Sequence, residues 1–325
     1  MLPMGMTVLR IGTRGSPLAR WQAGWVAERL RVLHPGLEVA LVEIKTHGDR
    51  DRNTPLALLG GLGLFTKEIQ RALLDRVVDV AVHSLKDLPT QGPTELTLAA
   101  IPPREGLADA LIAPKYKTLN ALPDGATVGT GSLRRRAQLL FLRPGLNVVG
   151  VRGNVETRLE QANAGKLDAV VLAEAGLRRL GLEGQVTERL GPPRFLPAVG
   201  QGALGIECRA DDDATRARLS LLDDPATRRA VLAERRVLAE LEGGCMIPLG
   251  AWGRDAEGGG LALDVAVFDT EGRERVFIAM TGPSDDPEGL GWRAAEALRA
   301  HGAERLLRHP EPASGILDAT GADKS

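Results

Sequence analysis

Cysteine is nearly absent. The 325-residue chain holds only Cys208 and Cys245, with no paired spacing. That excludes a disulfide framework and a cysteine-rich zinc site. The five histidines include no pair at a zinc-binding spacing such as H-E-x-x-H, so no metal is expected. Aromatic residues make up 3% of the chain, too few for a platform that stacks nucleic-acid bases. No charge sign dominates: the formal net charge of −1 argues against a general polyanion binder and makes any positive site local. No apolar run is long enough to span a bilayer. Met1-Leu2-Pro3-Met4-Gly5-Met6 has neither the basic flank nor the apolar core of a signal peptide. The expectation is a cytoplasmic protein with no metal, no membrane and no nucleic-acid partner.

What remains is ordinary globular composition, 43% hydrophobic and 26% charged. The length calls for two or three domains. β-branched runs near 7–11, 39–45 and 78–82 alternate with helical patterns over 17–33 and 65–74, the signature of a parallel sheet with crossover helices. Pro102-Pro103 breaks that series, and it restarts with strands near 127–128, 147–151 and 169–172 and helices over 133–142 and 155–164. After the loop Gly191-Pro192-Pro193, the stretch 197–202 leads into a further apolar strand. The reading is α/β: one lobe over 1–102 and 203–220, a second over 103–202. Residues 221–325 then form a small α+β domain. It has a long helix over 225–241, a hairpin around Asp269-Thr270-Glu271-Gly272, a helix over 292–300 and a frayed tail from about 310.

Strand-to-helix junctions repeat one chemistry. Gly12-Thr13-Arg14-Gly15-Ser16-Pro17 offers Ser16 as an N-cap, Pro17 at the first helical position and a full charge on Arg14. Gly129-Thr130-Gly131-Ser132-Leu133-Arg134-Arg135-Arg136 repeats the device with three arginines, of which at least one should face solvent. Arg152-Gly153-Asn154 ends a strand and caps a helix that carries Arg158 one turn on. Exposed N–H groups at such ends favour anions. Arginine suits planar carboxylates or phosphates. Any one junction also fits a capped helix with surface arginines, but three of one polarity point to a ligand with several negative charges. No Walker loop or dinucleotide fingerprint is present, so a polycarboxylate fits better than a nucleotide.

Two further residues stand out. Asp87, in His83-Ser84-Leu85-Lys86-Asp87-Leu88-Pro89, either caps a turn before Pro89 or holds a carboxylate where positive charge develops in a reaction. His83 is a ligand contact or a packed core residue. Cys245, in Glu242-Gly243-Gly244-Cys245, is a small buried hydrophobe or a sulfur that glycines leave clear of its loop.

Six segments together resemble the hydroxymethylbilane synthase (porphobilinogen deaminase) family. They are Thr13-Arg14-Gly15-Ser16-Pro17-Leu18-Ala19, Ala81-Val82-His83-Ser84-Leu85-Lys86-Asp87, Gly129-Thr130-Gly131-Ser132-Leu133-Arg134-Arg135, Arg152-Gly153-Asn154-Val155, Leu196-Pro197-Ala198-Val199-Gly200-Gln201-Gly202 and Leu241-Glu242-Gly243-Gly244-Cys245. They run in family order along nearly the whole chain. The resemblance implies two lobes like those of type II periplasmic binding proteins plus a small α+β C-terminal domain, acting as a monomer. It implies a transferase that condenses four porphobilinogen molecules onto a dipyrromethane held by a thioether to Cys245, with ammonia lost at each step. Asp87 matches the catalytic carboxylate, which would stabilise the azafulvene left by ammonia and assist proton transfer. Arg14, Ser16, Ser84, Lys86, Thr130, Ser132, Arg134, Arg135, Arg152, Arg158, Arg179 and Gln201 match cofactor- or substrate-binding positions, and Phe65 matches an aromatic near the substrate rings. Leu58 and Leu62 stand where members of the family carry lysine, which puts the contacts of the 58–65 loop in question.

Two rival readings remain. A two-lobed protein that captures an anion without chemistry would need neither Cys245 nor Asp87. A nucleic-acid binder using Arg134 to Arg136 is disfavoured by the neutral net charge and scarce aromatics.

Overall fold

The structure, a computed structural model, describes residues 8–45, 66–241 and 247–307. Cys245, Phe65, the loop with Leu58 and Leu62, and the tail from 310 lie outside the described residues.

Two five-stranded sheets share one plan. In the first, β1 (Leu9–Thr13) runs parallel to β2 (Val39–Glu43) and β3 (Val80–Ser84), and β4 (Leu96–Ala100) forms the far edge. In the second, β6 (Thr127–Gly129) runs parallel to β7 (Asn147–Val149) and β8 (Ala169–Ala173). The remaining strands are β5 (Asp109–Ile112), β9 (Glu188–Leu190) and β10 (Leu204–Arg209). The strand orders are β2-β1-β3-β10-β4 and β7-β6-β8-β5-β9. Each sheet thus has one reversed strand in fourth place, antiparallel to both its neighbours. That strand enters from the other lobe, because β5 follows β4 and β10 follows β9 along the chain. The central strands β3, β8 and β10 are almost wholly buried; β8 is a continuous apolar run, whereas β3 and β10 also bury His83, Glu207 and Arg209, and the edge strand β2 is open on alternate residues.

Helices cover both faces. α1 (Pro17–Leu33) starts at the Ser16 cap with Pro17 in its first turn and lays Ala23, Val26, Ala27 and Leu30 on Leu9, Ile11, Val80, Val82 and Ile206. Burial of Val26 and Leu30 stabilises the lobe by roughly 1.5–3 kcal/mol each. Cys208 lies in this core with no exposure, and burial pushes its thiol up to about 11. α2 (Lys67–Leu74) covers the opposite face through Ile69, Ala72 and Leu73. The second lobe uses α3 (Leu133–Leu142), α4 (Val155–Asn163) and α5 (Glu174–Arg179), and α6 (Asp213–Ser220) follows β10.

The C-terminal unit packs α7 (Pro225–Glu240), α8 (Pro287–Ala300) and α9 (Ala303–Leu307) on one antiparallel sheet. Its strands are β11 (Leu249–Asp255), β12 (Leu261–Phe268) and β13 (Arg275–Gly282), in that order. A glycine is required where α7 crosses β11: a Cβ on Gly253 would stand 2.5 Å from the Ala230 carbonyl oxygen. α8 begins five residues before the predicted helix, because Asp286 caps it through Gly289 N and Pro287 opens its first turn.

Candidate active site

β1 and β3 are parallel neighbours, so their carboxyl ends share one edge of the first sheet. At the first end, Ser16 Oγ accepts from Ala19 N at 3.3 Å, and Arg14 is half-buried beside it. At the second, Ser84 Oγ accepts from Gln22 Nε2 at 2.9 Å. The chain then makes a 3-10 turn over Leu85–Asp87, held by Leu85 N to Ala203 O at 3.0 Å. That turn leaves Asp87 exposed and Lys86 half-buried. Burial pushes the Lys86 ammonium down to about 8, against the pull of Asp87.

The second lobe brings its own strand ends to the same place. The charges acting on Lys86 include Arg134, Arg135 and Asp109, and those acting on Arg158 include Arg135, Asp87 and Arg152. Ser132 caps α3 by accepting from Arg135 N at 3.4 Å, and its own N–H donates to Thr130 Oγ1 at 3.3 Å. Asn154 caps α4 through Thr157 N at 2.8 Å and so fixes the turn that carries Arg158. Burial, together with the positive charge of Arg135, lowers Arg158 to about 10. Among the described residues, Arg158 Nε and Arg152 Nη2 are buried without a hydrogen-bond partner. An arginine cluster with buried donors left over fits an absent group that carries carboxylates.

Arg134 and Arg135 have partners inside the protein. Arg134 Nη1 reaches Asp109 Oδ2 at 2.7 Å and Leu196 O at 2.6 Å, and Arg135 Nη2 reaches Asp109 Oδ1 at 2.7 Å. Gln201 Nε2 donates to the same Oδ1 at 3.0 Å. Burial alone would raise Asp109, but the two guanidiniums hold it down to about 2. Of the triplet, only Arg136 lies towards solvent, and it pairs with Glu271 at 2.9 Å. Arg179 donates to Gly202 O at 2.7 Å and lies 5.9 Å from the Trp21 ring of the first lobe; burial lowers it to about 10.

Sequence reasoning passed over four residues that organise these groups. Asp109 anchors both arginines, and Gln22 fixes Ser84. Arg104 and Glu234 form a buried bidentate pair at 2.7 and 3.1 Å. Glu234 also accepts from Gly200 N at 2.7 Å and Gly253 N at 2.8 Å, so one carboxylate ties a crossing segment to the C-terminal sheet. The available signal was an acid inside an apolar run, as in Ala108-Asp109-Ala110-Leu111-Ile112, because a buried charge must be paired.

These features define a class: a two-lobed α/β protein with a small α+β domain, whose ionisable groups gather where the carboxyl ends of two parallel sheets meet. Two family models cover this chain, the porphobilinogen deaminase dipyromethane cofactor-binding domain over residues 9–217 and the porphobilinogen deaminase C-terminal domain over residues 228–300. The chain belongs to the porphobilinogen deaminase family, transferases of porphyrin biosynthesis. It is 48% identical to the porphobilinogen deaminase of Syntrophotalea carbinolica over 94% of this chain and 96% of that one. It is 49% identical to that of Geobacter sulfurreducens over 94% and 95%. Among solved structures it is similar to the methionine-binding protein MetQ, at TM-score 0.44 and 13% identity over 66% of this chain and 89% of that one.

Proposed function

We propose that this protein is a hydroxymethylbilane synthase, condensing four porphobilinogen molecules into a linear tetrapyrrole with loss of ammonia at each step. The observation that carries the reading is the meeting of Lys86 and Asp87 with Arg135, Arg152 and Arg158, of which the last two keep buried donors without partners. Each pyrrole unit carries an acetate and a propionate, which such donors would bind. Arg14, Ser16, Lys86, Arg152, Arg158 and Arg179 hold carboxylates of cofactor and substrate on this reading. Ser84, Thr130, Ser132, Arg134, Arg135 and Gln201 complete that set, with Phe65 against the rings. Asp87 stands exposed on its turn, where a carboxylate stabilises the positive charge that develops as ammonia leaves the substrate. It can also take the proton from the attacking pyrrole carbon.

A dipyrromethane on Cys245 supplies the anchored primer from which the chain is extended. The division into 1–102 with 203–220, 103–202 and 221–325 belongs to the same proposal and is supported by the place of β10 between β3 and β4. So does action as a cytoplasmic monomer without a nucleic-acid partner, the last of which the −1 net charge supports. No helix among the described residues is long and apolar enough to cross a membrane.

Intact-protein mass tests the anchor. The purified active chain should exceed its polypeptide mass, and Cys245→Ala should not. An active wild-type chain at polypeptide mass would sink the assignment. Asp87→Asn should keep the fold and the bound cofactor while losing most turnover, and near-normal turnover would refute its role.

A further inference from the structure

β3 leaves its sheet at Ser84, and both faces of the strand are pinned there. On the α1 face, Ser84 is held by Gln22. On the α2 face, His83 is buried with Nε2 2.9 Å from Glu207 Oε2 on the neighbouring β10, close enough to pair as charges but without the alignment of a hydrogen bond. Gln70, from α2, donates Nε2 to both oxygens of the same carboxylate at 3.2 and 3.1 Å. His83, Glu207 and Gln70 are 5%, 6% and 7% exposed.

Three polar side chains from three elements thus share a layer otherwise built of Ile69, Leu73 and Ala81. Burying a carboxylate there costs several kcal/mol before its partners offset it, and apolar residues of like volume would serve stability as well. A geometric role accounts for the cluster better. Gly205 stands opposite His83 in the ladder, and the space its missing side chain leaves is taken by Leu85, whose Cδ1 would lie 2.9 Å from a Cβ there. Leu85 is the residue between the pinned strand end and the Lys86-Asp87 pair.

We infer that His83 is a positioning residue for the reaction. Set against Glu207, whose carboxylate Gln70 holds, it fixes where the chain leaves β3 and therefore where Lys86 and Asp87 stand. Its effect on turnover rests on the function proposed above; its effect on the 84–88 turn does not.

The test compares full-length His83→Leu and His83→Gln proteins carrying their cofactor. Loss of the Glu207 contact should lower kcat in His83→Leu by about tenfold or more with KM little changed, since small displacements of reacting groups cost that much. His83→Gln, whose amide can reach Glu207, should recover to within about threefold of wild type. Amide exchange over 84–88 should quicken in His83→Leu and not in His83→Gln, with the rest of the lobe unchanged. Wild-type kcat in His83→Leu, equal loss in both variants, or exchange that quickens across the whole lobe would each overturn the inference. If His83→Leu does not fold, Gln70→Leu removes the other support and is read in the same way. A wild-type protein that makes no tetrapyrrole would overturn the proposed function instead, and the exchange pattern alone would then decide the positioning role.

Discussion

Asp109 offers the sharpest test of how the site is held together. Its carboxylate has no exposure and bridges two guanidiniums at 2.7 Å each, with Gln201 as a third donor. The depression from 3.8 to about 2, won against burial, makes the ionised form worth about 2 kcal/mol to the fold. Asp109→Asn keeps the shape but removes the charge and strands Arg134 and Arg135, so the loss at pH 7 should be about 3–5 kcal/mol. The sign follows from linkage. A carboxylate depressed in the folded state stabilises above its unfolded value and loses that contribution as pH falls from about 4 to about 2. Urea unfolding followed by circular dichroism should therefore show a large gap between wild type and Asp109→Asn at pH 7. The gap should narrow as pH falls through that window, because wild-type Asp109 becomes neutral too. A gap under about 1 kcal/mol at pH 7 is too small for a stranded buried charge. That result, or a gap constant down to pH 3, would refute the reasoning.

The remaining predictions concern charge and backbone. Lys86 loses its charge as pH rises through about 8, so substrate binding should weaken there and KM should climb. Lys86→Arg, which does not titrate in that range, should lack this alkaline limb, and an unchanged limb would exclude Lys86 as its source. The same shift means that the half-buried charge burdens the fold below about 8 and that the burden lifts as pH rises towards 10.5, so stability should increase across that window. Arg104→Met leaves Glu234 buried without its cation and should cost about 3–5 kcal/mol, while adding Glu234→Gln should recover part of it. A single variant as stable as wild type in denaturant would count against the pair as a structural tie. Gly202 has φ +85°, and a Cβ there would strike the Glu105 carbonyl oxygen. Gly202→Ala should lose roughly 1–3 kcal/mol or more by thermal unfolding, and an unchanged midpoint would contradict the strain.

The sequence made the parallel strands and their helices legible because both carry strong periodic or continuous apolar signals. β5 and β9 escaped because Asp109 and the charged pair Glu188-Arg189 interrupt short runs, and their places are set by pairing with β8 and with each other. Ser16, Ser132 and Asn154 were readable as caps, since each acts within three residues of itself. The roles of Arg134 and Arg135 were not, because Asp109 lies 25 and 26 residues away and only the folded second lobe brings it under α3. His83 could be read either as a ligand contact or as packed; burial and the Glu207 contact make it a packed residue, with polar rather than apolar partners.

Three of the four unpredicted residues, Arg104, Asp109 and Glu234, share a location with Gln201, and that explains more than their absence from the motifs. Arg104 and Asp109 flank the first passage between lobes, and Gln201 sits in the second, in contact with both through its carbonyl and its amide. Glu234 then fastens Arg104 to the domain expected to carry the anchoring cysteine. Leaving one member of such a buried ion cluster without its partner costs about 3–5 kcal/mol. A change in the spacing of the lobes that keeps these bonds has to turn about them. Asp109 and Glu234, neither of them a proposed ligand contact, thus tie together the segments that carry Arg134, Arg135 and Gln201.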